Sequence, residues 1–396
     1  MSKKIMILGA GRGQTDLISA AKKYGYRTVV TSIEGDYPGF ELADEICYAD
    51  ISNPVEISEA AKKYNVDGIV TACLDTGIAA LGYTCEHNNL PGLSEEAAKL
   101  SGDKLLMKSA FMANGVSTAR YKKVSSKNEL SDVLKELNMP LIVKAVDLQG
   151  SRGINIVNTE EDLYNGYERT MSETKKDFCI IEEFIEGYEF GAQAFVKDNE
   201  ILYVLPCGDI TFLGNTKVPI GHYAPLEFDE KIMIQVDNQA RAAIKAIGLN
   251  NCAVNIDFIL KDEKIYVIEL TGRIGANCLP QLTSIFYGID IYKLILDTSL
   301  GINPKEYFQN NKKDPNPCYA KMLISDKSGK IKRIINSNDN NPNISEITFF
   351  VKEGDEINKF TNSKDCLGQV VVKGKTKKEC QKLIDEVISK ISFELE

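Results

Sequence analysis

Short apolar runs alternate along the chain with segments whose apolar positions recur at helical spacing. Residues 4–9 are largely apolar and end in Gly-Ala-Gly-Arg-Gly-Gln (9–14); a helical pattern through Leu17, Ile18 and Ala21 and a second apolar run, Arg27 to Ile33, follow. Strand, glycine turn, helix, strand predicts the opening of a parallel α/β unit. A helix around 54–64 leading to Asp67–Thr71, and another around 76–87 leading to Leu90–Leu93, predict two further units. From Ser101-Gly102-Asp103-Lys104 the texture changes, with a helix expected to about Asn114, a helix over 125–138 and a strand from Pro140 to Ala145. A polar loop, Asp147 to Gly153, precedes a strand at Ile154–Val157, a helix near 160–173 and a strand at Phe178–Ile185. Further strands are expected near 190–197, 201–207, 253–260 and 264–270, and helices near 230–247 and 288–299. Beyond the polar linker 310–317 come strands at 318–324, 331–335, 345–351 and 368–373. A closing helix, Lys375 to Ile391, carries Cys380, Leu383, Ile384, Val387, Ile388 and Ile391 on one stripe and so should pack on a sheet.

With 396 residues, the chain is more than twice a typical domain of ~150, so two to four compact units are expected. A hydrophobic content of 43% and a charged content of 26% are globular composition. The 47 Lys+Arg against 56 Asp+Glu give a net charge of −9, which argues against nucleic acid or an anionic membrane as partner and requires any phosphate to be met by a local cluster. Only two histidines, His87 and His222, are present, which excludes multi-histidine metal centres and leaves carboxylates to hold a hard cation such as magnesium. Ten cysteines without a C-x-x-C pair fit reduced thiols. Met1–Leu8 is too brief for a signal-peptide core, and no apolar stretch approaches the ~20 residues that span a bilayer, so a cytoplasmic, soluble protein is expected.

Four constellations can carry chemistry. The glycine turn, with Glu34 at the end of the second strand, allows a dinucleotide site, but Gln14 stands where G-x-G-x-x-G needs glycine, and a purely structural turn that lets a helix pack closely on the sheet is the better reading. Lys144 interrupts the apolar run Leu141–Val146, and the loop after it offers Gln149, Gly150, Ser151, Arg152 and Gly153 as a phosphate cradle. Glu182, Glu183, Phe184 and Ile185 follow an apolar strand, with Glu189 just beyond, and suit an adenosine site. Asp257 and Glu269 each sit in an apolar strand of an expected hairpin. A two-residue loop would pair Asp257 with Ile268; a three-residue loop would place it opposite Glu269, where two like charges call for a cation. Thr271-Gly272-Arg273-Ile274-Gly275-Ala276-Asn277 then brings a guanidinium and glycine-exposed backbone to the same edge.

Taken in order, these segments resemble the ATP-grasp superfamily, specifically carboxylate–amine ligases such as L-amino-acid ligases and the relatives of carbamoyl phosphate synthetase and biotin carboxylase. The resemblance implies an α/β and α+β fold: a Rossmann-like pre-ATP-grasp domain over 1–100, an ATP-grasp domain over 101–308 with a lid subdomain at about 117–188, and a C-terminal α+β domain over 309–396. It implies ATP and Mg2+, with Mn2+ as an alternative ion, and small-molecule carboxylate and amine substrates, and it leaves a homodimer open. Lys104 and Lys144 would meet the phosphates, Gln149 to Gly153 would close over them, Glu182 to Ile185 would hold adenine, and Glu189 would hold the ribose. Asp257 and Glu269 would bind the metal, and Arg273 would stabilise an acyl phosphate, with Lys144 and Arg152 assisting. His222, expected in a loop, would contact substrate with Arg273, Gly275 and Asn277. Thr271 stands where the family has a metal-binding Asn, and its hydroxyl would coordinate the metal or hold a bound water there. The activity so implied is ADP-forming ligation of a carboxylate to an amine, by way of an acyl phosphate. The alternatives are a nucleotide-binding protein without turnover and an NAD-dependent oxidoreductase.

Overall fold

The computed structural model describes residues 2–146, 153–213 and 217–396. Strands β1 (Lys4–Leu8), β2 (Arg27–Ser32), β3 (Glu45–Tyr48) and β4 (Gly68–Val70) form a parallel sheet in the order β3-β2-β1-β4. Both faces of β1 are covered, which is why Ile5 to Leu8 read as an unbroken apolar run. The strand expected at Leu90–Leu93 is absent: Leu90 N–H donates to Cys85 O at the end of a helix, and Gly92 has φ +151°, outside a strand ladder. The edge strand β3 supplies the fourth position instead, too short and too mixed to show a period. In the glycine turn, Gln14 is buried and its Nε2 donates to Ala72 O at 2.7 Å. Its side chain fills the space beside Gly9 that a dinucleotide phosphate would need, so the turn serves packing.

Strands β5 (Tyr121–Val124), β6 (Leu141–Lys144), β7 (Ile154–Val157) and β8 (Cys179–Glu183) make a separate antiparallel sheet, in the order β5-β8-β6-β7. This sheet and its helices Leu130–Glu136 and Glu160–Glu173 have a core of their own, built on Val124, Leu130, Val143, Leu163 and Ile181. A body with its own apolar interior can move as a unit, as a lid must.

The third element set is β9 (Tyr188–Lys197), β10 (Glu200–Leu213), β11 (Lys217–Ala224), β12 (Cys252–Lys261), β13 (Lys264–Thr271), β14 (Cys318–Leu323), β15 (Gly329–Asn336), β16 (Ile344–Phe349), β17 (Glu356–Ile357), β18 (Gly368–Lys373) and β19 (Ile391–Leu395). Eight of these form one sheet, β13-β12-β9-β10-β11-β14-β18-β16, and β17-β15-β19 form a small second one. The large sheet runs across the boundary expected at residue 309, because β11 pairs with β14 through Tyr223 and Tyr319. Strand β11 has no clean alternation in the sequence, since Pro219 and Gly221 lie in it. The pairing register with β10 shifts there, between Ile210 and Thr211, which is how a strand tolerates proline. His222 therefore sits on a strand and not in a loop. The expected helix from Ser101 is two helices: Glu95–Gly102 ends, and Asp103 caps Lys104–Ala113 by accepting from Leu105 and Leu106 N–H. Ile5 of the N-terminal sheet and Leu17 of the helix Arg12–Lys23 share a buried cluster with Phe195 and Leu294 of the body, so the two pack as one mass. No described helix is long and apolar enough to cross a membrane.

Candidate active site

Where the lid sheet faces the edge of β12 and β13, a cavity of about 330 Å³ opens. Its walls are Ile142 and Ile154 from the lid, Ile259 and Val267 from the body, and the segment Glu182 to Ile185 between them. Apolar side chains on two faces and backbone along one edge suit a flat heteroaromatic ring. The Ile185 N–H donates to no described residue, and among the described residues Glu182 Oε1 is a buried acceptor without a partner. One free donor and one free acceptor on residues of the same cavity wall suit the hydrogen-bonding edge of adenine.

The other oxygen of Glu182 explains the lysines. Glu182 Oε2 lies 2.8 Å from Lys108 Nζ and 3.2 Å from Lys144 Nζ, and Glu182 is only 3% exposed. Burial alone would raise Glu182, but Lys144 and Lys108 together outweigh it and hold it below the ordinary range. Burial pushes the Lys108 ammonium down, with Glu182 opposing. Both shifts are downward: the two ammoniums favour the charged Glu182, whereas burial disfavours the charged Lys108, which shares that one carboxylate with Lys144, and the cluster leaves one positive charge in excess at the cavity. Lys104, at the N-terminus of its helix, lines the same cavity 4.0 Å from Glu269. Lys108 escaped sequence reasoning, although a lysine between Met107 and Phe111 on the buried helix face was a visible signal. The Glu183 side chain points the other way, as strand alternation requires: its Oε1 accepts from Arg120 and from the N–H and side chain of Asn138. Of the expected nucleotide contacts it thus offers backbone only. Glu189 lines the cavity from β9, and Gly153 closes the lid hairpin with φ +63°. Gln149, Gly150, Ser151 and Arg152 lie outside the described residues.

Asp257 and Glu269 are register partners on β12 and β13. The hairpin turn has two residues, Asp262 and Glu263, both with positive φ, which by itself would pair Asp257 with Ile268. A bulge between Asp257 and Phe258 shifts the ladder by one, leaves Ile268 as the extra residue and brings the acids face to face. Burial, then Glu269 opposite, pushes Asp257 up to about 7. A cation between the two would relieve that repulsion, so the donor chemistry fits a hard divalent ion. Among the described residues no group of three or more His, Cys, Asp or Glu forms a metal cluster, so further ligands would come from phosphate or water.

The remaining expected residues are held by two networks. Asn255 donates to Asp257 Oδ1 at 3.1 Å and accepts from Gln193 at 2.6 Å, and Gln193 accepts from Gly275 N–H at 2.8 Å. Gln193 and Asn255 were missed by the sequence reading, although an amide inside the apolar run Phe190–Val196 is a signal for a buried network. On the other side, Arg273 clasps Asp75 with Nε–Oδ1 at 2.8 Å and Nη2–Oδ2 at 2.6 Å, and Thr271 Oγ1 donates to Asp75 Oδ1 at 3.0 Å. The hydroxyl expected at the metal is thus committed to Asp75, which comes from the loop after β4. Burial would raise Asp75, but the guanidinium outweighs it and holds the carboxyl below its ordinary range. A second cavity of about 330 Å³ is lined by Asp209, His222, Arg273 and Asn277, with Glu189 and Asp257 shared with the first.

Residues 102–275 match the family described as phosphoribosylglycinamide synthetase, ATP-grasp (A) domain, and residues 321–396 match L-amino acid ligase C-terminal domain 2. The crystal structure of phosphoribosylglycinamide synthetase from Anaerococcus prevotii is 49% identical, with a TM-score of 0.90 over 100% of both chains. The chain belongs to the ATP-grasp carboxylate–amine ligase family. Fold similarity extends to the L-amino acid ligase from Bacillus licheniformis, 18% identical with a TM-score of 0.83 over 100% of this chain and 99% of that one. Among curated proteins, the alanine–anticapsin ligase of Bacillus subtilis (strain 168) is 28% identical over 290 residues, 65% of this chain and 60% of that protein. This ATP-grasp chain therefore spans 60% of the length of that relative. Membership of the family sets aside the oxidoreductase alternative, as the Gln14-filled turn does independently.

Proposed function

We propose that this ATP-grasp protein is an ADP-forming ligase that activates a small-molecule carboxylate as an acyl phosphate and joins it to an amine, giving an amide or peptide bond. The observation that carries the reading is the bulge-set pairing of Asp257 with Glu269 between two cavities, one fit for a nucleotide and one for substrates. ATP would lie in the first cavity, with adenine on Glu182 and Ile185, ribose near Glu189 and phosphates toward Lys104 and Lys144. Asp257 and Glu269 would hold Mg2+, which would supply charge neutralisation for the transferred phosphoryl group. The protein's own residues do the rest by position. Lys104 and Lys144 draw the phosphate chain into line, Arg273 faces the acyl oxygen, and the lid sheet shields the acyl phosphate from water. Thr271 acts by fixing Asp75 and so Arg273. Ten unpaired thiols suit a reducing cytoplasm.

The commitment of Thr271 to Asp75 also favours a second reading, a nucleotide-binding protein that does not turn over. A matrix of carboxylates and amines, assayed for ADP and phosphate with Mg2+ and ATP, separates the two. Release that needs both a carboxylate and an amine supports the ligase, and silence across the matrix despite ATP binding supports the second reading.

A further inference from the structure

The substrate-side cavity contains a pair that phosphate chemistry does not use. Asp209 and His222 are direct register partners on β10 and β11, and His222 Nδ1 lies 2.7 Å from Asp209 Oδ1. The His222 side chain is 8% exposed and lines the cavity beside Arg273, Asn277 and Asp257. Among the described residues this contact is the imidazole's only hydrogen bond, so the second ring nitrogen is uncommitted. A carboxylate on Nδ1 fixes the tautomer with its proton there and leaves the Nε2 lone pair to accept one.

An amine presents the acyl phosphate with a difficulty that its activation does not solve. At neutral pH an amino acid arrives as an ammonium, which has no lone pair for attack. The charged groups around His222 are Asp209 from β10, Glu189 from β9, Asp257 from β12 and Arg273 beyond β13, while its partner on β14 is the apolar Ala320. With Asp257 assigned to the metal, Glu189 to the ribose and Asp209 to Nδ1, the uncommitted Nε2 of the imidazole is left to take a proton from the ammonium and later release it.

We propose that His222, oriented by Asp209, is the general base that deprotonates the incoming ammonium. The inference rests on the ligase reading. One N–H proton passes to His222 Nε2, the freed nitrogen lone pair attacks the acyl carbon, and the carbon–oxygen bond to phosphate breaks. The second N–H proton leaves with the phosphate as the amide forms, so ammonium, acyl phosphate and neutral imidazole become amide, hydrogen phosphate and imidazolium. Asp209 is a positioning residue.

The test compares two nucleophiles. Wild type, His222→Asn, His222→Ala and Asp209→Asn are assayed with pairs drawn from the twenty proteinogenic amino acids, and in parallel with hydroxylamine as the nucleophile, which is already neutral at mildly alkaline pH and needs no base. The expected result for His222→Asn and His222→Ala is a loss of ~10²–10⁴-fold in dipeptide formation, with hydroxamate formation reduced on the order of tenfold or less. Asp209→Asn shows the same split in smaller measure. Equal losses with both nucleophiles, or no loss with either, overturn the base assignment. Hydroxamate from the wild type with no amino acid accepted as nucleophile likewise overturns the base assignment. A wild type that forms neither product sinks the ligase reading itself, and this proposal with it.

Discussion

Asp257 and Glu269 face each other only because a bulge inserts Ile268 into β13 and undoes the register that their two-residue turn would set. The pairing is a strained arrangement of like charges, and burial with Glu269 opposite pushes Asp257 up to about 7. A carboxyl whose folded-state pKa is raised contributes stability fully below its unfolded value near ~3.9, and that contribution is lost as pH rises through about 7. Magnesium favours the charged pair, so protons compete with it. The shift in Tm on adding Mg2+ should be small at about pH 5.5 and grow through pH 7, and Asp257→Asn should flatten that dependence. Thermal melts across pH check it.

Removing the Glu182 carboxylate leaves Lys108 as a buried ammonium and Lys144 as a partly buried one, both without their carboxylate partner. Glu182→Ala should destabilise the protein by about 3–5 kcal/mol, by the usual cost of breaking a buried pair. Lys108→Met, which replaces one of two lysines by a similar volume, should cost less. Urea unfolding of the two variants, with ATP binding measured alongside, gives the comparison.

A Cβ at Gly275 would lie 2.7 Å from Asn255 Oδ1 and 2.4 Å from Leu279 Cδ1. Gly275→Ala should therefore displace Asn255 from Asp257 and weaken Mg2+ binding by on the order of 10-fold or more, the usual effect of disturbing a ligand's support. Isothermal titration of Mg2+ in the presence of ADP reads this directly, and unaltered affinity would separate the network from the metal pair.

Asp75 joins the N-terminal unit to the catalytic edge through two hydrogen bonds to Arg273. Arg273→Lys cannot reproduce that fork, so kcat should fall by ~10²-fold or more while KM for ATP stays nearly constant. Steady-state kinetics on the variant distinguish this from a nucleotide-binding defect, which would raise KM instead.

Much of the site was legible because its charged residues interrupt apolar strands. Lys144, Glu182, Asp257 and Glu269 stand out in this way, and their order along the chain carries the family resemblance. What was not legible depends on geometry created by pairing. The bulge at Ile268 decides which residues oppose, and nothing in the composition of β13 marks it. Strand β11 was hidden by Pro219 and Gly221, which placed His222 in a loop and concealed Asp209 as its partner. Asp75 meets Arg273 from a distant part of the chain, a contact that no local pattern encodes. Glu183 shows the converse: adjacency to Glu182 suggested a shared role, and strand alternation sent its carboxylate to Arg120 and Asn138.

The acyl-phosphate mechanism makes one atom traceable. With a carboxylate substrate labelled by heavy oxygen in both positions, mass spectrometry of the inorganic phosphate released during ligation follows that oxygen. Ligation through an acyl phosphate requires one labelled oxygen in each phosphate and one retained in the amide. Unlabelled phosphate accompanying amide formation would contradict it.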